Sequence, residues 1–254
     1  MIKIVRCAAA AFMLGASVAA ASAADLAPPP PAPAPALPDA FQPFQVRLRA
    51  VGVITSSGGI LQTVPGGTFV SGGFKTSDSV IPELDVSYFL TKNIALEAVC
   101  CVSYNKVYLS GGTIAPNQQA ASTWLFPPTV LVQYHWTDFG HFQPYVGVGV
   151  NYTVYFHQHA AEPLLNTVGI QSSWGVAGQI GFDYMIDDHW GFNFDVKKIM
   201  MNPHVYGTVA APSVTPYPGS VSISGQANIS PWLIGAGITY RFGGPAASAV
   251  VAKY

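Results

Sequence analysis

Nine charged residues of this 254-residue chain lie inside stretches of alternating polarity, always on the polar side: Arg47, Arg49, Glu83, Asp85, Glu97, Asp183, Asp195, Lys197 and Arg241. Guanidinium and ammonium groups that face carboxylates across a narrow interior make a salt-bridged filling, because a lone buried charge is very costly. The alternative chemistry is a path for ions. His157 and His159 flank Gln158, with Glu162 nearby, and two imidazoles on one strand face would suit Zn²⁺ or Cu²⁺. The plainer reading is a pair of exposed loop histidines, so no metal and no cofactor is expected. The same histidines with Ser172 or Ser173 are the one combination of base and nucleophile types, but no spaced motif joins them, so no catalytic residue is assigned and no enzyme is expected. Cys100 and Cys101 are strand neighbours that point to opposite faces and read as small apolar residues.

The elements that must position these groups are strands. In Thr129–Trp136 the apolar residues are Val130, Val132, Tyr134 and Trp136, and in 143–156 they are Val146, Val148, Val150, Tyr152, Val154 and Phe156. The opposite parity holds Gln133, His135, Gly147, Gly149 and Asn151. Period two marks a strand with one apolar face. The same alternation runs through Phe44–Ile54, Val80–Leu90, Ile94–Tyr104, Trp174–Ile186, Trp190–Ile199 and Ile229–Phe242, which makes eight strands. Connections alternate in length. Short links follow the second, fourth and sixth strands, and long Gly/Ser/Thr/Asn/Pro-rich segments (Thr55–Ser79, Asn105–Thr123, His157–Ser173 and Asn202–Asn228) follow the odd ones. That predicts an eight-stranded antiparallel up-and-down transmembrane barrel over 44–242, with long outer loops and short periplasmic turns.

Composition supports a lipid face. Charged residues make up only 9% of the chain, and mean hydropathy is positive although no apolar run beyond the N-terminus is long enough for a membrane helix. On the apolar parity the one charged residue is Lys198, near an outer strand end where it can snorkel. Phe44, Tyr88, Tyr134, Trp136, Tyr184, Trp190, Tyr240 and Phe242 gather at the short-turn end, as an interfacial girdle does. A net charge of −1 argues against a nucleic-acid partner. Lys3 and Arg6, the apolar run Cys7–Ala21 and the small residues Ala21-Ser22-Ala23 predict a signal peptide over 1–23. A proline-rich periplasmic leader follows over 24–43, read as a spacer or as a ligand for a periplasmic partner. The tail 243–254 runs past the last strand, so the aromatic read by the barrel-assembly machinery is either Phe242 or Tyr254.

The stretches FQVRLRAVGV (44–53), LDVSYFLTKNIALEAV (84–99), FPPTVLVQYHWTDFGHFQPYVGVGVNYTVYF (126–156), GQIGFDYMIDDHWGFNFDVKKI (178–199) and ISPWLIGAGITYRF (229–242) together resemble the OmpW family of small outer-membrane barrels. The resemblance implies an eight-stranded barrel in outer-membrane lipid whose apolar passage admits small hydrophobic molecules. Above the charges, Val51, Val53, Ile81, Cys101, Leu131, Leu233 and Gly235 are expected to line that passage, and Gly147 and Gly149 to leave space beside it. Lateral exit between strands into the bilayer would release a guest that the charges stop, with Pro144 and Pro231 as candidate weak points. The rival reading is a surface barrel whose outer loops bind host factors, phage or toxins without transport.

Overall fold

The computed structural model describes residues 41–244 except 65, 68, 72, 112–113 and 212–218. The expected signal peptide, residues 24–40 of the leader and residues 245–254 of the tail lie outside the described residues. Among the described residues there are fourteen strands and no helix: β1 (Phe44–Val64), β2 (Phe69–Ser71), β3 (Gly73–Thr76), β4 (Ser79–Phe89), β5 (Ile94–Cys100), β6 (Ser103–Gly111), β7 (Ile114–Phe126), β8 (Thr129–His135), β9 (Phe142–Ala160), β10 (Leu165–Ile170), β11 (Ser173–Met185), β12 (Trp190–Met201), β13 (His204–Ala211) and β14 (Gly219–Phe242). Antiparallel pairing runs β1–β4–β5–β8–β9–β11–β12–β14 and returns from β14 to β1, so eight strands close into a barrel. Closure leaves no unpaired sheet edge in lipid, where water cannot satisfy one.

Two of the three turns that close neighbouring strands at one end, β4–β5 and β11–β12, share a device. Thr91 Oγ1 accepts from the backbone N–H groups of Asn93 and Ile94 at 3.2 and 3.0 Å, and Asp187 Oδ1 accepts from those of His189 and Trp190 at 2.8 and 2.6 Å. Each side chain thus fixes the reversal of its own backbone. The two turn N–H groups hold the Asp187 carboxyl below the usual carboxylate range.

The four segments expected as long loops are largely strand. Short interruptions at 77–78, 101–102, 127–128, 171–172 and 202–203 separate β3 from β4, β5 from β6, β7 from β8, β10 from β11 and β12 from β13, and β1, β9 and β14 pass that level unbroken. β14 gives the physical reason. Its even positions face outward throughout: Ser220, Ser222, Gln226 and Asn228 at the far end, then Trp232, Ile234, Ala236 and Ile238. Its odd positions face inward and change the other way, from Val221, Ile223 and Ala227 to Thr239. A strand leaving the membrane keeps its period of two and swaps the chemistry of its two faces, so an outward row of Ser and Gln there resembles a loop. From Trp232 to Tyr240 is eight residues, roughly 21 Å of height at the usual rise and tilt, close to the apolar band of such barrels.

Ring contacts mark both boundaries of that band. Phe44 lies 5.1 Å from Tyr88 and 5.5 Å from Phe242, and Trp190 lies 4.6 Å from Tyr240, at the short-turn end. At the far boundary Tyr104 lies 5.3 Å from Trp124 and Tyr152 lies 4.7 Å from Trp174. Tyr104, Tyr152 and Trp174 lie within the strands expected from alternation, and their contacts with each other and with Trp124 form a second belt that alternation alone does not indicate.

Val148 is 70% exposed in the middle of the outward row of β9. Val148→Arg is expected to lower the unfolding free energy in vesicles by about 2–4 kcal/mol, whereas Ser222→Arg, on the same outward parity beyond the belt, changes it by less than about 1 kcal/mol. Urea titration of the two variants checks the position of the lipid boundary.

Candidate functional site

The inward row of β1 reads Gln45, Arg47, Arg49, Val51, and the lumen follows that order: charged toward the short turns, apolar beyond. Arg47 holds Asp183 with two donors, Nε to Oδ1 at 3.1 Å and Nη2 to Oδ2 at 2.8 Å. Its Nη1 reaches Glu97 at 2.7 Å and Ser87 Oγ at 3.2 Å. Arg49 takes Glu83 at 2.8 Å, Asp195 at 3.1 Å and Asp85. Lys197 joins the same Glu83 oxygen at 3.3 Å, and Arg241 lies 3.5 Å from Asp183. All nine sequence-identified charges are paired in two sets, one around Arg47 and one around Arg49, and Asn193 joins them into one cluster by accepting from Arg49 at 3.0 Å and donating to Asp183 at 2.8 Å. Of these four cations and five carboxylates, every side chain but that of Arg241 is at most 2% exposed.

The pairing runs across the lumen more than along neighbouring strands. Asp183 on β11 and Asp195 on β12 bind the arginines of β1, and Lys197 binds Glu83 of β4. A fork of planar donors suits Arg47 for this bidentate role, which an ammonium could not fill. Neutral groups complete the cluster. Gln45 donates to Asp183 at 3.0 Å, Asn193 to Asp183 at 2.8 Å, and the Tyr145 hydroxyl to Asp195 at 3.3 Å. His135 stacks on Tyr145 at 4.7 Å and meets Gln133, which in turn bonds Gln179 at 3.0 Å. Sequence reading did not single out these neutral members. Their one signal was inward parity, which they share with every other lumen residue.

Beyond the cluster, Val51, Val99, Leu131 and Ala177 pack solidly together with Ile81 and Leu233. Two cavities follow. The nearer, of about 80 Å³, is lined by Val53, Ile81, Cys101, Tyr155, Met201 and Leu233 among others. The farther, of about 40 Å³, is walled by Leu61, Phe74, Leu109, Leu165 and Ile223 among others. Gly147 and Gly149 line neither cavity, which corrects the expectation that they leave room for a guest. A Cβ on Gly147 would meet the Gln133 and Gln179 side chains at 3.2 and 3.1 Å, and one on Gly149 would strike the backbone of β8. The glycines let neighbouring groups come close instead of opening a space.

The wall beside the nearer cavity is where the ladder is thinnest. The β4–β5 register ends at Leu84↔Cys100, the β5–β8 register at Val99↔Thr129, and β6–β7 pairing begins at Ser103↔Leu125. Cys101 and Val102 thus lie between registers; extending either register puts Pro127 across from Cys101 and Pro128 across from Cys100, and neither proline has an N–H to donate. Asn151 covers this gap from inside, donating from Nδ2 toward the carbonyls of Pro127 and Pro128 at 3.2 and 3.3 Å. A second thin place is Pro231, where the β12–β14 register passes from Lys198↔Trp232 directly to Met201↔Ile229. Lys198 is not simply snorkelling there. Its Nζ donates to the Ser230 carbonyl at 2.5 Å and lies 4.6 Å from the centre of the Trp232 ring. Pro144 pairs with Phe182 in an unbroken register near the short turns, on the other side of the charged cluster from the cavities.

His157 and His159 are both exposed, and a positive φ of 48° at His157 interrupts the alternation of β9. Among the described residues no group of three or more His, Cys, Asp or Glu side chains is placed to hold a metal ion. Ser173 pairs with Thr153 while Ser172 is exposed. Cys100 is exposed and Cys101 buried, on opposite faces, and both are free.

Removing Arg47 leaves Glu97 and Asp183 buried without their main partner. Arg47→Met is expected to cost about 3–5 kcal/mol, and adding Glu97→Gln and Asp183→Asn to recover much of that loss. Equilibrium unfolding of the single and triple variants measures the coupling.

The OmpW family model matches residues 43–242. The chain is similar to the uncharacterized outer-membrane protein y4mB of Sinorhizobium fredii, with 42% identity over 94% of this chain and 97% of that one. It is also similar to the crystal structure of the outer membrane protein OprG from Pseudomonas aeruginosa, with a TM-score of 0.68 and 25% identity over 80% of this chain and 97% of that one. The solid-state NMR structure of outer membrane protein AlkL shares the fold, with a TM-score of 0.59, 22% identity and coverage of 85% of this chain and 97% of that one. Eight strands closed into a barrel, an outward apolar band between two aromatic belts and a family match that spans the whole barrel agree: this chain belongs to the OmpW family of outer-membrane β-barrel proteins.

Proposed function

We propose that the barrel admits small hydrophobic molecules from the outer face into its two apolar cavities and releases them sideways into the bilayer. One observation carries the reading: the lumen is divided. The cavity walls are almost wholly apolar, and below them the nine charges and their neutral partners fill the cross-section. A hydrophobic guest that reached the nearer cavity would have to desolvate paired charges to continue downward, which is far more costly than leaving through the wall.

The cluster acts as a plug in this account, and the exit lies where backbone pairing is weakest. Cys100–Cys101 against Pro127–Pro128 is the better placed of the two thin sites, since Cys101 and Pro127 both line the nearer cavity. Pro231 lines it as well and is the second. On the periplasmic side of the plug, a cavity of about 580 Å³ has a mixed lining, with Phe41, Phe89 and Met185 beside Asp138, Asp187 and Arg241, and the charged cluster separates it from the apolar cavities.

Cells that carry the protein are expected to take up small apolar compounds faster than cells that lack it. Val53→Asp puts a carboxylate on the wall of the nearer cavity and is expected to reduce that uptake by roughly ten-fold or more, as a charge in an apolar site does. Heat-modifiable gel mobility verifies that the variant still forms a barrel. Equal uptake with and without the protein contradicts transport, and any binding by the outer loops that persisted in Val53→Asp would then favour a surface-interaction role.

A further inference from the structure

The two apolar cavities share a stretch of wall, termed the neck, whose composition is unusual for a passage that must accept hydrophobic guests. Four residues line both cavities: Thr76, Val107, Ile170 and Ile229. Thr76 on β3 and Val107 on β6 are register partners on one wall, Ile170 lies on β10, and Ile229 on β14 is separated from Thr76 by β1, whose Ser57 pairs with Ile229. All four are β-branched. Such side chains have stiff χ1 angles, so they cannot swing aside as Leu or Met does.

The backbone under two of them is held by side chains where no ladder exists. Gln158 grips Ile170 at both polar groups: Oε1 accepts from the Ile170 N–H at 2.6 Å, and Nε2 donates to its carbonyl at 3.0 Å. A bulge frees Gln158 for this, because β7 pairs Trp124 with Phe156 and Ser122 with His159, leaving an extra residue on β9 at His157–Gln158. On the other wall Ser57 Oγ accepts from the Thr76 N–H at 3.2 Å, beyond the end of the β1–β4 ladder at Val53↔Ser79. The neck is therefore both stiff in its side chains and pinned in its backbone, between chambers of only about 80 and 40 Å³.

We propose that Thr76, Val107, Ile170 and Ile229 form a rigid selectivity neck that passes slender unbranched chains and rejects rings of equal carbon number, with Gln158 as a positioning residue that holds Ile170 in place. This rests on the transport reading and specifies its substrate class. A pocket that adapts its shape tolerates an extra ring atom; a fixed opening does not, and small apolar size differences are worth about ten-fold or more in such sites.

The test is the uptake of radiolabelled octane and cyclooctane by cells lacking the protein, and by cells carrying the wild type or Ile229→Ala, Ile229→Leu or Gln158→Ala. The protein is expected to speed octane entry, with cyclooctane slower by about ten-fold or more. Ile229→Ala should raise cyclooctane uptake toward that of octane by opening the neck. Ile229→Leu keeps the volume and removes the β-branch, and should relax the ratio without a folding penalty; Gln158→Ala should relax it with the neck residues unchanged. Heat-modifiable mobility confirms folding of each variant. Equal wild-type uptake of chain and ring, or a ratio unmoved in all three variants while octane entry remains protein-dependent, overturns the neck alone. If neither compound enters faster with the wild type than without it, transport itself is overturned and the neck with it.

Discussion

Lipid offers a strand no hydrogen bonds, so every backbone group in the band must be satisfied by protein. Most of this barrel meets the demand by closing a ring of eight paired strands. The places where it does not are the informative ones. Prolines at 127, 128 and 231 interrupt the ladders, and at each interruption a side chain steps in: Asn151 beneath Pro127–Pro128, and Lys198 at the Ser230 carbonyl beside Pro231. Beyond the membrane Gln158 and Ser57 serve the same purpose at gaps in the wall. Side-chain clamps hold a wall closed with fewer bonds than a ladder, and the proposed exit and selectivity are placed at these sites for that reason.

The same absence of water dictates the interior. Charge excluded from the outward face turns inward, and inward charges must pair. Arg47 and Arg49 do this by reaching across the lumen to β11 and β12, so the cluster also braces opposite walls. Beyond it the inward residues become apolar while the outward residues of the emerging strands become polar, as β14 shows over its whole length. An apolar chamber enclosed by a wall that is wet on the outside follows from that exchange, and it is the chemistry a hydrophobic guest needs at the moment it leaves water.

Period two made the barrel legible in the sequence: the eight strands, their order, the turn-end girdle and the inward parity of all nine cluster charges can be read from alternation and charge placement. Partners on adjoining strands follow from adjacency, as Arg49 with Glu83 and Asp85 shows, but those across the lumen do not. Asp183 binds Arg47 three strands away, because trans-lumen distance depends on barrel closure and shear rather than on adjacency. The far staves were hidden because the face chemistry inverts outside the membrane, which also hid the residues shared by the two cavities. Gly147 and Gly149 suggested space, but small residues permit close approach as readily as a void, and Gln133 and Gln179 occupy it.

The proposed lumen is closed by charge below and open to apolar molecules above. Cys101 reports on it directly, since it lines the nearer cavity while Cys100 faces outward. With Cys100→Ser in place, a small apolar thiol reagent should label Cys101 in intact outer membranes, while a charged, membrane-impermeant reagent supplied from the periplasmic side should not. Rapid labelling by the charged reagent from that side would mean a continuous aqueous path through the cluster, and would contradict the account.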